Sequence, residues 1–282
     1  MTLIFYLHTT MTPLVSIIIP CYDAQKYLGE TLDCLLNQTL RQWECIVVND
    51  GSTDDSLTIL RHYERLDSRF KVIDKKNEGP AIARNLAISS ASGKYIMPLD
   101  ADDKIAPSFA EMAADYLEKN PDCKLVCSEC DFFGDRSGRF ALEDYDYRKI
   151  LWSNCIVCTA VYRKSDFEKT TGYNPNMKAV YEDWDFWLSL LNEGDRVYRI
   201  PKVMFFYRVH GSSRSTQNSD VYRAAMRTLV KNHPDKYAPY MEDIISYYND
   251  SRGFDAIRSS LSFRLGRIMT SPFVFLKKFF RR

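Results

Sequence analysis

Leu14-Val15-Ser16-Ile17-Ile18-Ile19-Pro20 is an apolar, β-branched run broken by a single serine. A strand with one face in water alternates apolar and polar residues. A run without that alternation reads as a strand buried on both faces, which is how strands of a parallel sheet covered by helices look. The following segments fit that reading. "KYLGETLDCLLNQ" (26–38) has helical spacing, and "WECIVVND" (43–50) is a second strand. "STDDSLTILRHYERL" (52–66) is a helix opened by Ser52 or Thr53 with acids in its first turn. "FKVIDK" (70–75), "PAIARNLAISSA" (80–91) with Pro80 at its start, "KYIMPLD" (94–100), "PSFAEMAADYLEKN" (107–120) and "KLVCSECDFF" (124–133) continue the alternation. Strand–helix–strand order at this spacing predicts an α/β fold with a mostly parallel, Rossmann-like sheet flanked by helices and right-handed crossovers.

In such sheets ligands bind beyond the carboxyl ends of the strands. Strand one ends in Pro20-Cys21-Tyr22-Asp23, strand two in Asn49-Asp50-Gly51-Ser52, and strand four in Leu99-Asp100-Ala101-Asp102-Asp103. Two carboxylates about 5 Å apart repel by roughly 3 kcal/mol at an effective dielectric of about 20. Gathering aspartates from separate segments on one rim therefore points to a cationic partner rather than to a merely solvated edge. After residue 163 the alternation fades. "YEDWDFWLSL" (181–190) reads as a helix with acids first and aromatics packed inward, and "KVMFFYRVHGSSRS" (202–215) as a strand ending in His210 and a Ser/Gly loop.

The 282 residues carry a net charge of +1, with 45% hydrophobic and 27% charged residues. That composition is ordinary for a globular protein and gives no basis for a nucleic-acid partner. The apolar run Leu3–Leu7 lacks a basic flank and is too short to span a membrane, which leads to the expectation of a cytoplasmic protein with an extension over 1–13. The cysteine pairs Cys127/Cys130 and Cys155/Cys158 lie in strand-like runs, where residues three apart face opposite ways. They read as buried reduced thiols rather than zinc ligands.

"VSIIIPCYDAQKYL", "VVNDGSTDDS", "NEGPAIARNLAI", "YIMPLDADD" and "YEDWDFWLSL", in that order, resemble the family 2 glycosyltransferases, which have the GT-A fold. The resemblance spans about residues 14–215. It implies a catalytic domain with a nucleotide-binding half over 14–105 and an acceptor-binding half over 106–215. It also implies an inverting transfer of sugar from a nucleoside diphosphate, with UDP as the expected nucleotide, to an acceptor hydroxyl. Carried over by position, Pro20, Tyr22 and Asp23 line the base and ribose pocket, and Asp50 bonds the uracil or ribose. Arg84 reaches a phosphate, Asp100 approaches the ribose, and Asp102 holds the divalent metal with His210 as a late metal or diphosphate contact. Asp183 is the general base, with Glu182 orienting a neighbouring group. Asp23 departs from the family, which has Asn there.

The chemistry agrees with that assignment. A diphosphate leaving group gathers negative charge, which Mn²⁺ or Mg²⁺ held by carboxylates neutralises. A carboxylate on the far side of the sugar can take the acceptor's proton. A glycoside hydrolase built on two carboxylates is the competing enzyme reading, and it leaves the acids after strands one and two unexplained. A nucleotide-sugar binding module without catalysis is the non-enzymatic alternative. Residues 216–282 read as a helical extension. In its last stretch, "SPFVFLKKFFRR" (271–282), Lys277, Lys278, Arg281 and Arg282 fall within an arc of roughly 140° opposite the phenylalanines. Such a basic amphipathic tail suits an anionic membrane surface. With the family resemblance it implies a peripheral enzyme on the inner face of the cytoplasmic membrane, acting on glycan or lipid-linked acceptors in surface polysaccharide or glycolipid synthesis.

Overall fold

The computed structural model describes residues 12–177, 180–211 and 219–250. Strands β1 (Val15–Cys21), β2 (Trp43–Asp50), β3 (Phe70–Lys75) and β4 (Tyr95–Pro98) alternate with helices α1 (Leu28–Leu36), α2 (Ser56–Leu66) and α3 (Pro80–Ser89). Then come β5 (Lys104–Ile105), α4 (Phe109–Lys119), β6 (Cys123–Gly134), β7 (Gly138–Phe140), β8 (Val161–Arg163) and α5 (Lys164–Phe167). Helix α6 (Glu182–Leu190), β9 (Arg196–Val209) and α7 (Ser219–Asn232) follow. The described strands form one sheet in the order β3-β2-β1-β4-β8-β6-β9-β5, with β7 paired to β6 off that path.

The first four strands are parallel, with Val15 opposite both Trp43 and Tyr95 and Cys45 opposite Phe70. Every residue of β2 is buried, as its near-continuous apolar pattern requires. Beyond β4 the sheet is mixed. β8 runs antiparallel to both β4 and β6, β6 is parallel to β9, and β5 is antiparallel to β9. The parallel pairing of β6 with the long β9 brings Val209, and with it His210, to the rim where β1, β2 and β4 end.

Three local expectations change. Helix α2 begins at Ser56 rather than at Ser52 or Thr53, because both of those residues bond Asp23 instead. In "NCIVCTAVY" the strand is confined to its end, where β8 runs Val161–Arg163. Upstream, the Asn154 side chain accepts the Ile156 amide at 3.3 Å and turns the chain. Helix α7 belongs to the same compact unit as the sheet, which runs on to His233, past the expected domain end at 215. A second unit starts at Pro234 and contains helices α8 (Pro234–Tyr237) and α9 (Met241–Asp250). The N-terminal ten residues and the basic tail over 271–282 lie outside the described residues. No described helix is long and apolar enough to cross a membrane.

At the opposite end of the parallel strands from the rim, one carboxylate gathers four segments. Glu44, 2% exposed, accepts bonds from the Ser16 hydroxyl of β1 (2.6 Å), the Lys71 ammonium of β3 (2.6 Å), and the amide and hydroxyl of Ser92 ahead of β4 (2.6 and 2.7 Å). Burial alone would raise its pKa, but these donors outweigh it and bring the value down to about 2. Gly93 is required beside it, since a β-carbon there would stand 2.6 Å from the Ser16 hydroxyl and 2.7 Å from the Ser16 nitrogen.

Candidate active site

The loops after β1 and β2 are sewn together. Asp23 sits at φ +47°, a left-handed conformation that Asp and Asn tolerate better than most side chains. Its Oδ1 accepts the Thr53 amide at 2.7 Å, while its own amide donates to the Ser52 hydroxyl at 3.1 Å. Ala24 N donates to the Ser56 hydroxyl (2.9 Å) and Gln25 N to Asp54 (3.0 Å), and Gln25 Oε1 accepts the Asp55 amide (2.8 Å). Tyr22 stands out of this clasp at 52% exposure, beside the part-exposed Pro20. The Asp23 carboxylate, expected at the nucleotide, is used to shape the loop that presents Tyr22.

Asp50 is also turned inward. Only 3% exposed, it accepts Lys75 Nζ at 2.7 Å, Glu78 N at 3.0 Å and Gly79 N at 2.8 Å. It therefore holds the β3–α3 loop at the end of β2, where the bond to uracil or ribose was expected. Gly51 beside it has φ +74°, and a β-carbon there would lie 2.7 Å from Asn77 N, so the turn needs glycine.

Arg84, expected at a phosphate, is 2% exposed and bridges two carboxylates. One nitrogen donates to Asp100 Oδ1 at 2.5 Å and the other to Glu182 Oε1 at 2.8 Å. Burial works against its charge, but Asp100 and Glu182 more than compensate and hold the guanidinium charged. A single side chain from α3 thus joins the end of β4 to the first residue of α6. Glu182, expected to orient an acceptor or backbone group, is this pair's second half.

The last two acids of "LDADD" face β9. The Arg208 amide donates to Asp103 Oδ1 at 2.7 Å, and Arg208 Nε donates to the Asp102 carbonyl at 2.6 Å. The Arg208 guanidinium lies 4.6 Å over the Tyr27 ring and 4.1 Å over Phe133, and it pairs with Glu30. Asp102 Oδ2 meets His210 Nε2 at 2.8 Å, bringing together the two residues expected to share a metal. Asp103 is 1% exposed and its Oδ2 has no hydrogen-bond partner. Burial, with Asp100 adding repulsion, raises the Asp102 pKa although His210 opposes it; burial with both neighbouring aspartates raises that of Asp103 further.

Asp100, Asp103 and Cys158 form a group whose ligand atoms lie within 4.8 Å of one another. Cys158 keeps its proton, since burial and the nearby Asp100, Asp103 and Asp183 drive its pKa well up. The carboxylate oxygens of Asp100 and Asp103, with the neighbouring Asp102–His210 pair, are the oxygen-rich donors that hard divalent cations prefer.

Asp183 stands in the first turn of α6, half-buried, with Asn154 Nδ2 donating to its Oδ2 at 3.3 Å. Burial, together with the adjacent Glu182 charge, raises its pKa to about 6. A carboxylate with that value is ionised at neutral pH yet basic enough to accept a hydroxyl proton. Trp184 and Trp187 are core, at 1% and 0% exposure.

The sequence reading missed Arg208 and Asn154, and it placed Asp103 among the rim acids without a role of its own. Arg208 lies two residues before His210, but nothing in a strand pattern says which charged residue turns inward. Asn154 was hidden among the cysteines around it.

The Glycosyl transferase family 2 model matches residues 16–171, more than half the chain. The chain belongs to glycosyl transferase family 2. A putative teichuronic acid biosynthesis glycosyltransferase, TuaG of Bacillus subtilis, is 33% identical over 227 residues, 78% of this chain and 87% of that protein. Among solved structures, Staphylococcus aureus TarS 1–349 in complex with UDP-GlcNAc superposes with a TM-score of 0.66 at 20% identity, covering 89% of this chain and 77% of that one. The mannosyltransferase PcManGT of Pyrobaculum calidifontis, in complex with GDP-Man and Mn²⁺, gives a TM-score of 0.57 at 16% identity over 93% of this chain and 81% of that one. These likenesses establish the GT-A fold. The protein is a family 2 glycosyltransferase, and its Glu182-Asp183, Arg208 and His210 all lie beyond the matched residues.

Proposed function

We propose that this glycosyltransferase moves a sugar from a UDP-sugar to an acceptor hydroxyl with inversion, and that Asp183 is the base. The observation that carries the reading is the placement of Asp183. It has a raised pKa and adjoins Glu182, which one buried guanidinium ties to Asp100 on the donor rim. Tyr22, presented by the β1–β2 loop clasp, offers a ring for the base. Asp100 faces the nucleotide from the end of β4, and Arg84 keeps that carboxylate oriented. Asp183 takes the proton from the acceptor hydroxyl while the diphosphate departs on the opposite side of the sugar. Proton removal of this kind contributes about 10²–10⁴-fold.

The donor set fits a divalent cation: Asp102 with His210 would hold it, and the unpartnered Asp103 oxygen adds a further oxygen donor nearby. When bound, Mn²⁺ or Mg²⁺ neutralises charge on the diphosphate. The UDP-GlcNAc complex of TarS supports a UDP donor, and the name of TuaG supports a role in surface polysaccharide synthesis. A cytoplasmic site at the membrane face would follow from such a role.

Calorimetry of UDP with and without Mn²⁺, on the wild type and Asp102→Ala, tests the donor site. Metal-dependent binding that is lost in the variant is the expected result. No binding of UDP under either condition would overturn the UDP assignment.

A further inference from the structure

We infer that Asp185, Asn232 and His233 form a brace that fixes the rotation of α6 and so aims Asp183, making α7 part of the catalytic apparatus. The inference rests on the reading of Asp183 as the base. Asp185 is 1% exposed, and its Oδ1 accepts Asn232 Nδ2 at 2.6 Å and His233 Nε2 at 3.1 Å. Its Oδ2 is buried with no hydrogen-bond partner. A buried carboxylate with an unmatched oxygen is a poor way to stabilise a helix contact, and an apolar side chain would do better. What the carboxylate adds is direction. Residues two apart on a helix point about 200° away from each other. Anchoring Asp185 on the end of α7 therefore turns Asp183 to the opposite side, where Asn154 meets it.

The start of α6 needs such support. Tyr181, immediately before it, has φ 67° and ψ 25°, and no side chain caps the helix. A left-handed non-glycine residue persists only where its surroundings hold it. Here the Tyr181 ring lies edge-on to Trp184 (5.7 Å) and to Tyr222 of α7 (6.0 Å), and Tyr222 donates its hydroxyl proton to the Trp152 carbonyl at 3.2 Å. Upstream, Asn176 and Asn232 exchange side-chain hydrogen bonds at 2.7 and 3.0 Å. Helix α7 and the residue after it thus hold the chain on both sides of the base: before it at Asn176 and Tyr181, and after it at Asp185.

The test compares full-length wild type, His233→Ala, Asn232→Ala and His233→Gln, whose amide can restore a donor to Asp185. Three readouts are needed: UDP affinity with Mn²⁺ by calorimetry, steady-state turnover across a panel of UDP-hexoses, and hydrogen exchange of the amides of residues 182–186. The alanine variants should lose about 10- to 100-fold in kcat, as misplacement of a reacting group does, with UDP affinity and donor KM within about twofold of wild type. Exchange should quicken at 182–186, and His233→Gln should recover most of the kcat. Unchanged kcat in both alanine variants overturns the brace. So does a loss of UDP affinity in step with kcat, which marks general destabilisation. If the wild type turns over no UDP-hexose, the UDP-hexose donor assignment fails instead. Exchange then decides the brace alone: faster at 182–186 in the variants supports it, and unchanged overturns it.

Discussion

At Asp183 the sign of the pKa shift leads in two directions at once. The folded pKa of about 6 lies above the ordinary 3.8, so the native state holds this proton more tightly than the unfolded chain does. That contribution to stability is present at low pH and is lost as pH rises through about 6. Asp183→Asn, which cannot ionise, should therefore be more stable than wild type at pH 7.5, by about 1–3 kcal/mol, readable by urea unfolding. The same variant should lose about 10²–10⁴-fold in kcat while still binding UDP. In the wild type, kcat/KM should fall below about pH 6, as the base becomes protonated. A flat pH–rate profile between pH 5 and pH 8 would dismiss Asp183 as the base. Asp100, Asp102 and Asp183 were legible as acids at strand and helix ends. The partners of Asp23, Asp50 and Arg84 were not, because the sequence shows an acid at a strand end without showing which donors later fold against it.

At the scale of elements, the clasp between the loops after β1 and β2 shapes the side proposed for the nucleotide. Asp23 uses Oδ1, an atom that asparagine also has, to accept the Thr53 amide, at a left-handed φ that asparagine also tolerates. Asp23→Asn should leave UDP affinity within about threefold, whereas Asp23→Ala should weaken it about tenfold or more by loosening the loop, as calorimetry will show. The β-carbon of Gly51→Ala would meet Asn77 N at 2.7 Å in a left-handed turn, so the variant should cost about 1–3 kcal/mol, measurable as a lowered Tm. The parallel strands and their helices could be read from periodicity alone. The two-residue β5, the short β7 and the confinement of β8 to Val161–Arg163 could not, because pairings this short depend on distant partners such as Phe205 and Phe206 of β9.

For the molecule as a whole, Glu44 is the counterweight to the site, binding β1, β2, β3 and the approach to β4 at the end away from the rim. Its pKa is depressed from 4.5 to about 2, so its contribution is present above pH 4.5 and is lost as pH falls through about 2. Glu44→Gln should lower stability at pH 7 by about 2–4 kcal/mol and flatten the acid limb of the unfolding profile. The α/β plan was evident from the first buried run onward. The extent of the compact unit was not, since α7 joins it through Asp185 and Tyr181, contacts with no local signature in the chain.

Arg84 has a historical consequence. With its guanidinium buried between Asp100 and Glu182, replacing either acid first strands half of a cation in the interior, while replacing the arginine first leaves two acids facing each other. Losing the arginine is the costlier of these single steps, because it leaves both acids without their shared counter-charge. Descendants of this enzyme are therefore expected to remodel its surface loops more readily than to give up that arginine.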